Sequence, residues 1–120
     1  MAERETVLVV EDEALILFTI ADELRQAGYR VVEAQDADQA VRLLETDSRI
    51  RLVFTDIDMP GSMDGLRLAA LVRDRWPPVH IIVTSGKRVP DAALLPCGSR
   101  FLAKPYTSTS VLDAAHGLLH

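Results

Sequence analysis

Three features of the 120-residue chain predict an α/β domain built on one five-stranded parallel sheet with helices on both faces. Short aliphatic runs alternate with segments patterned as helices. The first run shows no polar alternation, as a strand covered on both faces requires. The connections are short, and four of the runs stop at a chemically distinctive residue.

Thr6 to Val10 is β-branched and aliphatic and ends abruptly at Glu11-Asp12-Glu13. From Ala14 to Ala27, Ile16, Ile20, Leu24 and Ala27 recur at helical spacing, and Gly28 supplies the stop. Tyr29 to Ala34, with Val31-Val32, is the second strand. Asp36 then opens a helix through Glu45, with Gln39 at the reciprocal capping position. Leu52 to Thr55 is a third strand ending at Asp56. Turn residues Met59-Pro60-Gly61-Ser62 lead to a helix from about Asp64 to Arg75, which Pro77-Pro78 closes. Val79 to Val83 is a strand ending at Thr84, Phe101 to Ala103 one ending at Lys104, and Ser108 to Leu119 the last helix. Between Gly86 and Phe101, Pro90, Pro96 and Gly98 leave only Asp91 to Leu95 free to be helical, so a mobile segment replaces a regular helix there.

The length fits one domain, residues 1–120, and 48% apolar residues suffice for a real core. A net charge of -5 argues against nucleic acid as a direct partner, since phosphate backbones want clustered Lys and Arg. The single cysteine, Cys97, cannot form an internal disulfide. The apolar run Val7 to Val10 is too short for a signal peptide or a membrane span, so a soluble cytoplasmic protein is expected.

In a parallel sheet the carboxyl ends of the strands lie along one edge, where open α/β folds place their ligand crevice. Glu11-Asp12, Asp56, Thr84 and Lys104 therefore converge. Carboxylates so close repel one another unless a cation neutralises them, and a hard, oxygen-seeking ion such as Mg²⁺ suits that task. Asp56 can then attack phosphorus as an oxygen nucleophile, with Lys104 and the Thr84 hydroxyl stabilising the phosphoryl oxygens. Any one of these residues alone reads better as a turn or strand cap. All of them at the right strand ends do not.

With these residues in place, the chain resembles response-regulator receiver domains, of the CheY-like superfamily with its flavodoxin-like fold, over its whole length. The matching pieces are Val7-Leu8-Val9-Val10-Glu11-Asp12-Glu13, Asp56-Ile57-Asp58-Met59-Pro60, Met63-Asp64-Gly65, Ile82-Val83-Thr84-Ser85-Gly86 and Phe101-Leu102-Ala103-Lys104-Pro105. The resemblance implies that Asp56 accepts a phosphoryl group from a histidine kinase or a histidine phosphotransfer protein. It implies Mg²⁺ held by Asp12 and Asp56, by the backbone carbonyl of Asp58 and, through water, by Glu11. Thr84 and Lys104 would contact the phosphoryl group, and Thr84 with Phe101 would form the switch. The Lys104–Pro105 bond is expected to be cis. Three departures stand out: Glu11 where Asp is commoner, one extra residue in the loop Met59 to Met63, and the broken stretch between Gly86 and Phe101, which leaves the fourth helix irregular or shortened.

Among the remaining residues, Leu15 and Phe18 are left over once Ile16, Ile20 and Leu24 fill the core face of their helix. The resemblance implies that with Thr19, Pro105 and Tyr106 they form the docking patch for the kinase. Packing against a neighbouring loop would account for them equally well. His80, His116 and His120 lack metal-ligand spacing; His80 reads as structural, Cys97 as a small filler and Trp76 as the cover of a helix end. Haloacid-dehalogenase-like phosphatases also pair an aspartyl nucleophile with a hydroxyl, a lysine and Mg²⁺. They need an acidic pair after the lysine, whereas here the only later acid is Asp113 and the acidic pair precedes the nucleophile. A pseudo-receiver that binds partners without phosphorylation would not need the complete constellation. The sequence thus points to a signalling domain rather than an enzyme, with its output through a separate protein partner.

Overall fold

The computed structural model describes residues 5–61, 63–86, 95 and 98–120. Its elements run β1 (Thr6–Val10), α1 (Ala14–Gln26), β2 (Arg30–Ala34), α2 (Ala37–Thr46), β3 (Ile50–Asp56), α3 (Gly65–Arg75), β4 (His80–Ser85), β5 (Arg100–Ala103) and α4 (Ser108–Leu119). All pairings are parallel, in the order β2-β1-β3-β4-β5. The chain leaves β1 first toward one edge and then returns past it to β3, so the strand order reverses between β1 and β3. Crevices of open α/β sheets form at such a reversal. This is the doubly wound, flavodoxin-like sheet expected from the sequence.

Side chains alternate across the strands, and each face has its own core. Leu8, Val10, Val53, Ile57, Ile81 and Val83 meet α2 and α3 through Ala40, Leu44, Leu68 and Val72. Val7, Val9, Leu52, Phe54 and Ile82 meet α1 and α4 through Leu17, Leu24, Val111 and Ala115. Every residue of β1 is buried, which explains its unbroken aliphatic character. Burying each of these large side chains contributes about 1.5–3 kcal/mol.

Local chemistry sets the helix ends. Asp36 caps α2 by accepting from the Gln39 N–H at 2.8 Å. The Gln39 side chain reaches Gln35 N–H rather than Asp36 itself, at 2.9 Å, so the reciprocal bond falls one residue early. Asp64 caps α3 and Thr107 caps α4. Trp76 terminates α3 under the Arg75 guanidinium, 4.4 Å from its ring, and packs against the α2–α3 core.

Two details of α1 differ from the sequence expectation. Its buried stripe is Leu17, Ile20, Ala21 and Leu24, while Ile16 lies at the rim and Ala27 is exposed. The observed spacing of three, four and seven is the narrower helical face, and Ala27 lies beyond the helix as its C-cap. His80 opens β4 with its side chain exposed. The expected irregular segment falls mainly on residues 87–94, 96 and 97, Cys97 included, which lie outside the described residues, as does Ser62 in the expected longer loop.

Candidate functional site

The carboxyl edge of the sheet collects the predicted residues. Asp56 ends β3 with 4% of its surface exposed, and Glu11, just past β1, with 3%. Glu11 is held there by main chain on both sides: its N–H donates to the Ala34 carbonyl and its Oε2 accepts from the Glu13 N–H at 3.1 Å. Asp12 beside it is exposed. Carboxylate oxygens of Glu11, Asp12 and Asp56 lie within 4.8 Å of one another. Lys104, following β5, donates from Nζ to Asp56 Oδ2 at 3.0 Å and stands 3.5 Å from Glu11 Oε1. The second Asp56 oxygen, Oδ1, accepts from the Asp58 N–H at 3.3 Å. Thr84 is the register partner of Asp56 on β4 and is 1% exposed. The Lys104–Pro105 bond is cis.

Electrostatics follows from this crowding. The Glu11 carboxyl is raised to about 7: burial is the main cause, Asp12 and Asp56 add to it, and the Glu13 N–H and the Lys104 charge work against it. For Lys104 burial works against the charged form, yet the hydrogen bond to Asp56 and the charges of Asp56 and Glu11 outweigh it, so its net shift is upward. The ammonium is firmly charged. Among the described residues one cation therefore faces three carboxyl groups, which leaves room for further positive charge. All-oxygen donors, two of them buried, fit a hard divalent ion such as Mg²⁺. Next to them a cleft of about 610 Å³ is bounded by Asp12, Asp56, Asp58, Pro60, Asp64 and Lys104.

A second cleft, also about 610 Å³, adjoins Lys104 on the α1 side. Leu15, Thr19, Pro105 and Tyr106 line it together with Ile16 and Glu23. Leu15 is 78% exposed and Phe18 64%, but Phe18 lies outside the cleft's lining. Tyr106 is anchored edge-on to Phe54, with ring centroids 6.0 Å apart, and burial pushes its hydroxyl up to about 12. Phe101 is partly buried against the α2–α3 core.

Two residues of the site escaped the sequence reading. Ser85 donates its hydroxyl to Asp58 Oδ2 at 2.7 Å. Gly65 sits so close beneath Asp56 that a β-carbon there would overlap the Asp56 carbonyl and lie 2.8 Å from Ile57 Cα. Both stand inside the motifs Ile82-Val83-Thr84-Ser85-Gly86 and Met63-Asp64-Gly65. Their roles depend on distances between strand ends, to which sequence spacing is blind.

A parallel sheet with acids, a hydroxyl and a lysine at its carboxyl edge defines a class of Mg²⁺-compatible phosphoryl-accepting domains. The comparisons with known proteins are specific: the response regulator receiver domain family matches residues 7–116, and the chain belongs to that family, the receiver domains of two-component response regulators. It is 31% identical over 117 residues to the response regulator protein FleR of Pseudomonas aeruginosa, covering 93% of this chain and 24% of FleR. It is 33% identical over 111 residues to the transcriptional regulatory protein PdtaR of Mycobacterium tuberculosis, covering 90% of this chain and 53% of PdtaR. The chain thus spans about a quarter to a half of these relatives. A response regulator receiver protein from Sinorhizobium medicae superposes with a TM-score of 0.90 at 30% identity, covering 98% of this chain and 95% of that one. Among the described residues no helix is long and apolar enough to cross a membrane.

Proposed function

We propose that Asp56 is the phosphoacceptor, charged by a phosphohistidine of a histidine kinase or histidine phosphotransfer protein. The observation that carries this is the Asp56 carboxylate, buried at the edge of the strand-end cleft, paired at Oδ2 with Lys104 and clustered with Glu11 and Asp12. An Asp56 oxygen forms the new O–P bond while the P–N bond to the donor imidazole breaks and its electron pair leaves on the ring nitrogen. No general base is needed. Lys104 Nζ and the Thr84 hydroxyl stabilise the phosphoryl oxygens.

Asp12, Asp56 and the Asp58 carbonyl would hold Mg²⁺, with Glu11 acting through water. When bound, the ion offsets the repulsion between the carboxylates and the incoming anionic group. Thr84, the strand partner of Asp56, and Phe101, on the neighbouring β5, form the switch through which the new charge moves the surface toward a downstream protein target. The cleft beside α1 supports a docking role for Leu15, Thr19, Pro105 and Tyr106, with the exposed Phe18 at its border. The acidic balance favours a protein rather than a nucleic acid as output partner, and the cytoplasm, where such kinases present their phosphohistidine, as the location.

Incubation with acetyl phosphate and Mg²⁺, followed by intact mass and site mapping, tests the assignment. One phosphoryl group should appear on Asp56 and none on the Asp56→Asn protein. Equal labelling of both would refute it.

A further inference from the structure

The exposed apolar cleft, the helix ends and the His116–His120 stack offer no ligand beyond what has been described, but the strand ends hold an unassigned contact. A fourth acid, Asp58, lies two residues past Asp56, yet its carboxylate does not belong to the Glu11–Asp12–Asp56 cluster. Ser85 accounts for this. Alternation along β4 places Thr84 with Ile82 on the α1–α4 side of the sheet and Ser85 with Ile81 and Val83 on the α2–α3 side. From there the Ser85 hydroxyl, on a residue 2% exposed, donates to Asp58 Oδ2 at 2.7 Å across 27 positions of chain.

The main chain around this contact is fixed on both strands. The Ile57 N–H donates to the Thr84 carbonyl at 2.8 Å, and the Lys104 N–H to the Ser85 carbonyl at 3.0 Å. Ser85 is therefore held by β5 on one side while its hydroxyl reaches the loop after β3 on the other. With the Asp58 side chain turned that way, its N–H stays directed at Asp56 Oδ1.

We propose that Ser85 is a positioning residue of the phosphoryl-accepting site. It clasps the Asp58 carboxylate on the α3 side, so that the loop after Asp56 offers main-chain groups to the crevice and withholds a fourth negative charge. The inference rests on the reading of the acidic cluster as a Mg²⁺-assisted acceptor site. Withholding the charge has two effects. It keeps cation affinity moderate, since affinity for hard ions rises with the number of anionic ligands. It also limits repulsion of an incoming anionic phosphoryl donor.

The test is calorimetric titration of MgCl₂ into the chain and its variants. Ser85→Ala removes one hydroxyl and leaves a partly exposed acceptor, so the fold is retained, which a melting curve checks. The freed carboxylate should tighten Mg²⁺ binding by about three- to tenfold. In an Asp58→Asn background, whatever that protein's own affinity, adding Ser85→Ala should have no further effect, because no charge remains to swing inward. Unchanged or weaker binding in Ser85→Ala, or a tightening that persists with Asp58→Asn, overturns the proposal. Wild-type protein that gained no phosphoryl group at Asp56 would refute the acceptor reading instead, and the titrations would still decide the clasp.

Discussion

Replacing Gly65 by alanine probes how closely the helix that follows the acceptor loop is packed against it. Gly65 is the first residue of α3, and its N–H donates to the Ile57 carbonyl at 3.0 Å. A β-carbon at this position would overlap the Asp56 carbonyl oxygen and come within 2.7 Å of its carbon. These are backbone atoms of a buried strand end, so no flexible side chain can give way. Alanine ordinarily improves a helix by about 0.5–1 kcal/mol relative to glycine. Overpacking against rigid backbone costs about 1–3 kcal/mol and sometimes more, with loss of the Gly65–Ile57 hydrogen bond adding about 1 kcal/mol. The net is a loss of roughly 1–3.5 kcal/mol. At about 4 °C per kcal/mol for a chain of this size, the melting temperature should fall by roughly 4–14 °C. The Asp56 peptide must also shift, so the rate of labelling by acetyl phosphate should fall with it. Gly28→Ala is the control: Gly28 has φ +102° with no atom near a β-carbon, so only backbone strain of about 1–2 kcal/mol is expected, with labelling unchanged. A Gly65→Ala protein that melts within about 2 °C of wild type would refute the close-packing argument.

Three further outcomes are expected. Asp12→Ala should weaken Mg²⁺ binding at least about tenfold while leaving the fold intact, because an exposed anionic ligand is lost; identical calorimetric titrations would count against Asp12 as a ligand. Asp47 accepts from Arg30 at 2.9 Å and pairs with Arg49, and the Arg30 bond above all lowers its carboxyl to about 2. A lowered acid pKa stabilises the fold above the unfolded value of 3.8, and that contribution is lost as pH falls through about 2. After allowing for the exposed arginines, Asp47→Asn should cost about 1–2 kcal/mol at pH 7, and urea titrations should show the gap narrowing below about pH 4 and closing toward about pH 2. Finally, charge substitutions at Leu15 and Tyr106 should slow phosphotransfer from a cognate kinase while labelling by acetyl phosphate continues; unimpaired transfer would place the docking surface elsewhere.

The sheet was legible because four of its five strands announce themselves twice, by an aliphatic run and by the polar residue that ends it. Thr6–Val10 and Ser108–Leu119 coincide with the expected elements, and the other boundaries shift by a residue or two where strands continue past their apolar stretch, as β3 does from Ile50 to Asp56. The convergence of Glu11, Asp12, Asp56, Thr84 and Lys104 follows from parallel topology alone. The core face of α1 was harder: Ile16, Leu17, Ile20 and Ala21 are all apolar, so several stripes fit the sequence and only packing chooses Leu17 and Ala21. Contacts that depend on the height of one strand end relative to another, such as Ser85 to Asp58 and Gly65 to Asp56, leave no periodic trace.

The cleft beside Lys104 has a consequence for the order in which the chain matures. Its two walls come from α1 and from the stretch between Lys104 and the start of α4, and the Ser108 hydroxyl bonds to Glu23 at 2.6 Å across 85 positions of sequence. A ribosome-bound chain emerges from its N-terminus, so the wall bearing Leu15 and Thr19 is exposed long before its counterpart exists. Until the stretch from Lys104 to Ser108 has been made and docked, the full groove is absent. Docking through this groove, as proposed above, would double as an inspection of completeness, admitting finished domains and passing over nascent ones.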